Sequence, residues 1–172
     1  MHLSALHVYP IKSGAALSPR EAEVQSRGLA HDRRWMIVDA DGRFLTGRQL
    51  PKLATLRAEP TENGLHLQRA DRAGLHVDRP APSAARRRVS VWKDTLEAPD
   101  AGDAAAQWLS DWLQREVRLV HMDADALRPL SPACAQPGDE VSFAWRFRRR
   151  HSTGSMFACR CRCRCCDFAP IS

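Results

Sequence analysis

The 172-residue sequence lacks any long apolar segment. No run approaches the roughly 18 consecutive apolar residues that a membrane-spanning helix needs. The N-terminus also lacks the basic region and apolar stretch of a secretory signal. We therefore expect a protein without a membrane span, located in the cytoplasm. With 44% hydrophobic and 27% charged residues, the composition is that of a globular, soluble chain.

The common signatures of catalysis are missing as well. The sequence holds no glycine-rich phosphate loop and no nucleophile elbow, and its seven histidines form no metal-binding pair at helical spacing. We predict neither a catalytic residue nor a metal ligand in this chain. His31 is expected to be a loop residue, and four tryptophans are expected to lie in the core: Trp35, Trp92, Trp108 and Trp112.

Cysteine and excess positive charge are nearly absent from residues 1–144. Five of the six cysteines lie at 145–172, with seven arginines and one aspartate. Acidic and basic residues are equal in number over residues 1–144, so the whole net charge of +6 belongs to the last 28 residues. Composition changes abruptly near Ala144. This change predicts one domain at residues 1–144 and a separate tail at residues 145–172.

The tail alternates Cys and Arg between Cys159 and Cys165, and several explanations remain open. GC-rich codons give this alternation when a reading frame slips, so we hypothesise a frameshifted tail. A zinc or copper site is a second explanation, although structural zinc sites usually space paired cysteines by two to four residues. Non-specific binding of nucleic acid by the arginines is a third. Our default expectation is an irregular, disordered tail, because it has too few apolar residues for a core.

Short β-like runs separated by turn signals dominate the first 100 residues. Asp41-Gly42 separates two apolar runs, and Asn63-Gly64 and Asp71-Arg72-Ala73-Gly74 repeat the signal. Glycine supplies the positive φ that tight hairpin turns need. Lys93-Asp94 is a further predicted turn, and residues 117–121 are typical of a strand. Many short strands joined by tight turns predict a mostly β fold, specifically a small antiparallel β-barrel.

One amphipathic helix is predicted near residues 104–116. Asp103 is expected to cap its N-terminus, after a break at Gly102. Residues 80–88 are expected to form a loop with a solvated Arg86-Arg87-Arg88, and residues 129–138 a second loop. The apolar residues at helical spacing share one face of the helix: Ala105, Trp108, Leu109, Trp112 and Leu113.

Two segments combine cations with a hydroxyl. Tyr9-Pro10-Ile11-Lys12-Ser13 places a cation and a hydroxyl just after a β-like run, and Asp32-Arg33-Arg34-Trp35 places another cation just before the next one. Arginine presents a planar fork to phosphate oxygens, lysine a compact charge, and serine a short hydrogen bond. The candidate residues for binding an oxyanion are therefore Lys12, Ser13 and Arg33.

Each candidate also has an ordinary structural explanation. Lys12 could be a solvated surface residue. Ser13, beside Gly14, could serve only to shape a turn. Arg33 could pair with Asp32 or with Asp39.

The ordered set of motifs resembles the N-terminal β-barrel domain of the MOSC family, which includes the bacterial and mitochondrial amidoxime-reducing enzymes. The resemblance spans nearly all of residues 1–144, and the chain departs from the family pattern after Ala144. Beyond the two segments above, the resemblance is carried by Gly28-Leu29, Met36-Ile37-Val38, Asp41-Gly42-Arg43-Phe44-Leu45-Thr46, Arg48-Gln49, Pro51, Ala106-Gln107-Trp108-Leu109, Val117-Arg118-Leu119-Val120 and Asp139-Glu140-Val141-Ser142-Phe143-Ala144.

The resemblance implies a molybdenum cofactor, a molybdopterin whose pterin ends in a phosphate. By match to the family motifs, Lys12, Ser13 and Arg33 would reach this cofactor. It also implies a molybdenum-dependent oxidoreductase that reduces N-hydroxylated compounds with electrons from an iron–sulfur protein. Family members carry a C-terminal MOSC domain whose cysteine thiolate ligates molybdenum. Because this domain is missing from the sequence, we expect the chain alone to be inactive.

The alternative is a non-catalytic binding module. In that case the barrel would bind a phosphate-bearing ligand, or the Arg-rich tail would bind a polyanion.

Overall fold

The computed structural model describes residues 5–25 and 27–126, together with the backbone of residues 140–141 and 146–147. All six cysteines and the predicted loop at 129–138 lie outside the described residues, as does the predicted tail apart from the backbone of residues 146–147. In the described part of the chain, no helix is long and apolar enough to cross a membrane.

The described residues form short antiparallel strands, one α-helix, α1 (Asp103–Leu113), and a 3-10 helix at Pro51–Thr55. This confirms the predicted mostly β fold with one amphipathic helix. The strands are β1 (Val24–Gln25), β2 (Gly28–Leu29), β3 (Trp35–Asp39), β4 (Arg57–Pro60), β5 (Gly64–Arg69), β6 (Arg72–Asp78), β7 (Arg86–Val91), β8 (Asp94–Pro99), β9 (Val117–His121), β10 (Glu140–Val141) and β11 (Arg146–Phe147).

The strands pair as β1–β2, β3–β9, β4–β5–β6, β7–β8 and β10–β11. Isolated bridges link some of these small sheets, among them Val38–Phe44, Arg43–Ser90 and Asp100–Val120. Between these sheets the backbone pairing consists of single bridges, and continuous ladders are confined to the sheets themselves. Within the described residues, the sheets are therefore not closed into one hydrogen-bonded barrel. The predicted small β-rich domain is present, with sheets less continuous than a barrel requires.

The pair β3–β9 forms the centre of the fold. Its register matches Trp35 with His121 and Asp39 with Val117. Successive side chains of a strand point to opposite faces, and both faces are buried here, which explains the continuous apolar run Met36-Ile37-Val38. One face, with Trp35, Ile37, Val117 and Leu119, packs with α1 and β4–β6, whereas the other, with Met36, Val38, Val120 and Met122, packs with β7–β8.

Two of the predicted hairpin turns are confirmed and a third is displaced. Gly42 has a φ of +77°, and a Cβ there would lie 2.3 Å from the carbonyl oxygen of Arg88, so only glycine fits. Asn63-Gly64 connects β4 to β5 as predicted. The strand predicted to follow Gly74 begins earlier, at Arg72. Gly74 therefore lies within β6, where the ring of His66 occupies the space beside it.

Helix α1 begins and ends earlier than predicted, and its cap differs. Gly102, with a φ of +92°, holds the N-cap position, and Asp103 is the first helical residue. The predicted cap by Asp103 is wrong, because its carboxylate accepts a hydrogen bond from Arg118 at 2.7 Å instead. The helix ends at Leu113, and Gln114 follows with a φ of +55°.

The expected solvated loop at Arg86-Arg87-Arg88 is also wrong. These residues begin β7, and the guanidinium of Arg86 pairs with Asp123 at 2.7 Å. Arg87 pairs with Asp100. The two carboxylates lie 13 and 37 residues away in the sequence. The residues next to the arginines therefore gave no sign that their charges would be paired.

The carboxylate of Asp100 is the most connected buried acid in the described structure. Asp100 is 7% exposed and accepts hydrogen bonds from Arg118 Nε at 2.8 Å, Arg118 Nη2 at 3.0 Å and the Gly102 amide at 2.7 Å, as well as from Arg87. Burial alone would raise the pKa of Asp100, but the hydrogen bonds from Arg118 and Arg87 outweigh it and lower the pKa below its usual value. Asp100 thus joins β7, β9 and the entry to α1.

Substituting Asp100→Asn tests this junction. The variant keeps the shape but removes the charge that compensates two arginines, so we expect the free energy of unfolding to fall by about 3 kcal/mol in urea denaturation at pH 7. Asp103→Asn is the matched control, because Asp103 contacts the same Arg118 but its side chain is 94% exposed. We expect it to cost less than about 1 kcal/mol. Equal losses in the two variants would contradict the assigned role of Asp100.

Candidate functional site

The backbone brings the two predicted cation segments together. The Arg33 amide donates to the Tyr9 carbonyl at 2.6 Å, and the Trp35 amide donates to the Pro10 carbonyl at 3.0 Å. The Lys12 amide in turn donates to the Trp35 carbonyl at 2.8 Å. These hydrogen bonds hold residues 9–12 and 33–35 side by side. Ile11 and Trp35 are also buried in the same apolar cluster, which stabilises the pairing.

Lys12 extends from this pairing onto two aromatic rings. Its Nζ lies 4.8 Å from the ring centroid of Phe44 and 5.9 Å from that of Trp92. The two rings meet edge to face with centroids 5.0 Å apart. Cation–π contacts of this kind restrict the position of an ammonium group.

Trp92 overturns part of the core prediction. Trp35 and Trp108 are buried as expected and Trp112 is partly buried, but Trp92 is 62% exposed. It occupies the tight turn between β7 and β8 with a φ of +58°. A residue at the tip of a hairpin has no second layer to pack against, and its ring lies beside Lys12 instead.

Ser13 adopts a turn conformation, as one of its two explanations required. Its φ is +67°, in the left-handed region, and the following Gly14 amide donates to the Ile11 carbonyl at 3.0 Å. The side chain is half-buried and faces Gly47, where a Cβ would lie 3.8 Å from that of Ser13. The turn therefore fixes the backbone of Ser13, the residue that follows Lys12.

Arg33 is held by its sequence neighbour. Its Nη1 donates to Asp32 Oδ2 at 2.6 Å, while Asp32 Oδ1 accepts from the Tyr9 amide at 2.9 Å. The guanidinium carbon also lies 4.6 Å from the centroid of the Tyr9 ring. The pairing with Asp32 that the sequence left open is therefore present. A guanidinium carries five N–H donors, and this ion pair engages one of them.

The two cations thus share a backbone platform but have different partners. The ammonium of Lys12 faces Phe44 and Trp92, and the guanidinium of Arg33 faces Tyr9 and Asp32. The paired segments carry two cations and a hydroxyl, which are the groups that phosphate sites use. Among the described residues, no group of three or more His, Cys, Asp or Glu side chains could hold a metal ion.

Sequence reasoning missed a cleft of about 420 Å³ at the end of β3–β9, which we call the His121 cleft. The ring of His121 packs against Trp35 with centroids 4.5 Å apart, and its buried Nδ1 has no hydrogen-bond partner among the described residues. His31 lies at this cleft in a loop, as expected for that residue, with a φ of +63°. The charged and titratable residues that line the cleft are Arg27, His31, Arg34, Arg79, His121 and Asp123.

The environment of His121 disfavours its charged form. Burial lowers the pKa of His121 to about 4, and the positive charge of Arg79 contributes in the same direction. Burial and the charges of Arg79 and Arg34 also lower the pKa of His31. The folded protein therefore keeps His121 neutral at pH 7. The charged and titratable residues of the cleft gave no spacing signal, because they come from strand β9 and from four separate loops.

Comparison with known proteins identifies the family of this chain. Residues 1–116 match the family described as the MOSC N-terminal beta barrel domain. The chain belongs to this family. The expected resemblance is thereby confirmed over the part that carries the Lys12–Ser13 and Arg33 motifs.

Similar curated proteins include two groups. Mitochondrial amidoxime-reducing component 1 of Xenopus laevis is 32% identical over 134 residues, covering 74% of this chain and 39% of that protein. Molybdenum cofactor sulfurase of Drosophila erecta is 36% identical over 126 residues, covering 69% of this chain and 16% of that protein. The chain spans less than half the length of these relatives. A solution structure from Bordetella bronchiseptica has a TM-score of 0.49 and 20% identity, over 63% of this chain and 92% of that one.

The lowered pKa of His121 predicts an acid-sensitive fold. Because the folded state favours neutral His121, its contribution to the free energy of unfolding is complete above pH 6.5 and is lost as the pH falls toward 4. We expect a loss of about 3 kcal/mol by pH 4, measured by urea denaturation between pH 7 and pH 4.

In His121→Gln, the free energy of unfolding should change much less between pH 7 and pH 4. His31→Gln, at a more exposed site, should keep most of the pH dependence of the unsubstituted chain. Titration of the His121 ring by NMR in the intact chain gives the pKa directly. A value near 6.5 would refute the prediction.

Proposed function

We propose that this chain is the N-terminal, cofactor-phosphate-contacting domain of a molybdenum-cofactor oxidoreductase that reduces N-hydroxylated compounds. The observation that supports the proposal is the backbone pairing of residues 9–12 with residues 33–35, which brings together the two segments that carry Lys12, Ser13 and Arg33. The relatives support the cofactor, because their names refer to amidoxime reduction and to molybdenum cofactor sulfuration. The choice of reduction over sulfuration follows the motif resemblance.

The three residues would bind the phosphate end of molybdopterin and take no part in electron transfer. Arg33 would donate N–H groups to phosphate oxygens, with Asp32 and Tyr9 fixing the plane of its guanidinium. Lys12 would add a positive charge whose position Phe44 and Trp92 restrict. Ser13 would donate its hydroxyl proton to a further oxygen. The cofactor, when bound, would supply the two-electron chemistry at molybdenum.

The remainder of the enzyme would come from outside the described residues. We propose that a C-terminal MOSC domain supplies the molybdenum-ligating thiolate and most of the pocket, and that an iron–sulfur protein supplies electrons. The greater length of the relatives supports a further domain. The cytoplasmic location and the frameshifted origin of residues 145–172 stay predictions.

Cofactor retention tests the three residues. We expect Lys12→Ala and Arg33→Ala each to lower the molybdopterin content of the purified chain about tenfold, because each removes a charge-assisted hydrogen bond to phosphate. Pterin fluorescence after oxidation measures the content, in cells that make the cofactor. Arg43→Ala is the matched control, since Arg43 is an exposed arginine paired only loosely with Asp41 at 3.6 Å.

An equal loss of pterin in Arg43→Ala would overturn the assignment of Lys12 and Arg33. Deleting residues 145–172 distinguishes the proposed cofactor-binding domain from the alternative, a module that binds a polyanion through its tail. Cofactor binding should survive the deletion, whereas binding of a polyanion through the tail should vanish.

A turnover assay tests the expectation that the chain is inactive alone. With cofactor and a reducing dye supplied, we expect no reduction of benzamidoxime by residues 1–172, because in our proposal the C-terminal MOSC domain supplies the molybdenum-ligating thiolate and most of the pocket. Adding the C-terminal MOSC domain of a relative should restore turnover. Robust turnover by the isolated chain would show that the missing-domain proposal is wrong.

A further inference from the structure

The turn between β4 and β5 carries the only asparagine of the 172-residue sequence, Asn63. Asn63 is exposed, and the glycine that follows it, Gly64, begins β5. The turn is not the type I′ hairpin typical of Asn-Gly, because neither residue has a positive φ. The backbone of the pair is therefore held in a different way.

The backbone nitrogen of Gly64 is not held by either neighbouring strand. The Thr61 amide donates to the Gly64 carbonyl at 3.0 Å, but between these two described residues the reciprocal bond, from the Gly64 amide to the Thr61 carbonyl, is not formed. On the other side, the Arg79 amide donates to the Asn63 carbonyl at 2.6 Å, which makes Gly64 and Asp78 a non-hydrogen-bonded pair. The Gly64 amide is therefore available for reaction.

The side-chain amide of Asn63 is not restrained either. Among the described residues, no hydrogen bond reaches it. Gly64 places no side chain beside its own nitrogen, and a Cβ there would lie 2.0 Å from the Val77 carbonyl oxygen. The side-chain carbonyl carbon of an asparagine and the next backbone nitrogen can close a five-membered ring. Such an intramolecular attack is favoured by proximity, and asparagine is among the thermolabile residues.

We propose that Asn63 is a site of spontaneous modification, at which the folded protein converts asparagine to aspartate and isoaspartate. The Gly64 nitrogen attacks the side-chain carbonyl carbon of Asn63. A carbon–nitrogen bond forms, the bond to the side-chain nitrogen breaks, and ammonia leaves with the proton of the Gly64 amide. Water then opens the succinimide ring, at the side-chain carbonyl to give aspartate or at the main-chain carbonyl to give isoaspartate. The reaction consumes only water and changes no oxidation state.

The isoaspartate product alters the hairpin more than the aspartate product does. Both add a negative charge beside Glu62, but isoaspartate also adds one carbon to the main chain. The carbonyl that accepts from the Arg79 amide becomes part of a free carboxylate outside the main chain. We therefore expect isoaspartate to weaken the pairing of β4, β5 and β6. Gly64 and Arg79 also line the His121 cleft, so the change reaches its rim.

Incubation of the full chain at pH 7 and pH 9, followed by tryptic peptide mass spectrometry, tests the proposal. We expect the peptide of residues 58–69 to lose its amide, faster at pH 9 because the deprotonated Gly64 nitrogen is the nucleophile. Asn63→Gln should abolish the reaction, since its ring would be one atom larger. The chain unfolded in guanidinium chloride is the reference. A folded chain that keeps Asn63 intact while the unfolded chain loses it would overturn the proposal.

Asn63→Asp separates the effect of charge from that of the lengthened backbone. This variant carries the charge of the aspartate product on an unchanged main chain, so we expect its urea unfolding to match that of the unsubstituted chain. The isoaspartate form, isolated by chromatography after incubation, should unfold at a lower urea concentration. Identical unfolding of the isoaspartate form and Asn63→Asp would show that the assigned effect on the hairpin is wrong.

Discussion

The burial of β3–β9 on both faces is the constraint on which the other parts of the fold depend. Because neither face meets water, each must be covered, one by α1 with β4–β6 and the other by β7–β8. The same pair positions both candidate sites. Residues 9–12 align along the N-terminal end of β3, and the His121 cleft opens where Trp35 meets the last residue of β9. A shift of one residue in this register would exchange the two faces and separate both sites from their partners.

Arginine holds the outer layers to this centre. Arg86, Arg87 and Arg118 reach carboxylates on other segments, and Arg72 donates from β6 to the Trp108 carbonyl of α1 at 2.6 Å while covering that ring. Long side chains of this kind bury their apolar stems and carry their charge to an acceptor. The short strands, with few ladder hydrogen bonds, gain from them the cross-links that a continuous barrel would obtain from its backbone.

Much of the fold could be predicted from patterns among residues that are close in sequence. The Asp41-Gly42 and Asn63-Gly64 turns, the face of α1 and the strand at Val117–His121 each depend on residues close in sequence, and each was predictable. The arginines of β7 were misjudged because their carboxylates lie 13 and 37 residues away. Trp92 was misjudged because an aromatic residue gives the same signal in a core and at a hairpin tip. The motif made Lys12 and Arg33 candidates, but the cleft arises from contacts across the whole domain that no local spacing encodes.

Ser13, His31 and Arg33 have left-handed backbone conformations, which glycine adopts at lower steric cost than the side chains present. Non-glycine residues there carry a steric cost of about 1 kcal/mol each, and the three cluster at the paired segments. Glycine would relieve that cost at every one of these positions, yet it would remove the hydroxyl, the imidazole or the guanidinium. Selection for thermostability in the absence of a ligand would therefore favour glycine at Ser13 and Arg33, at the expense of the side chains that we propose contact the cofactor phosphate.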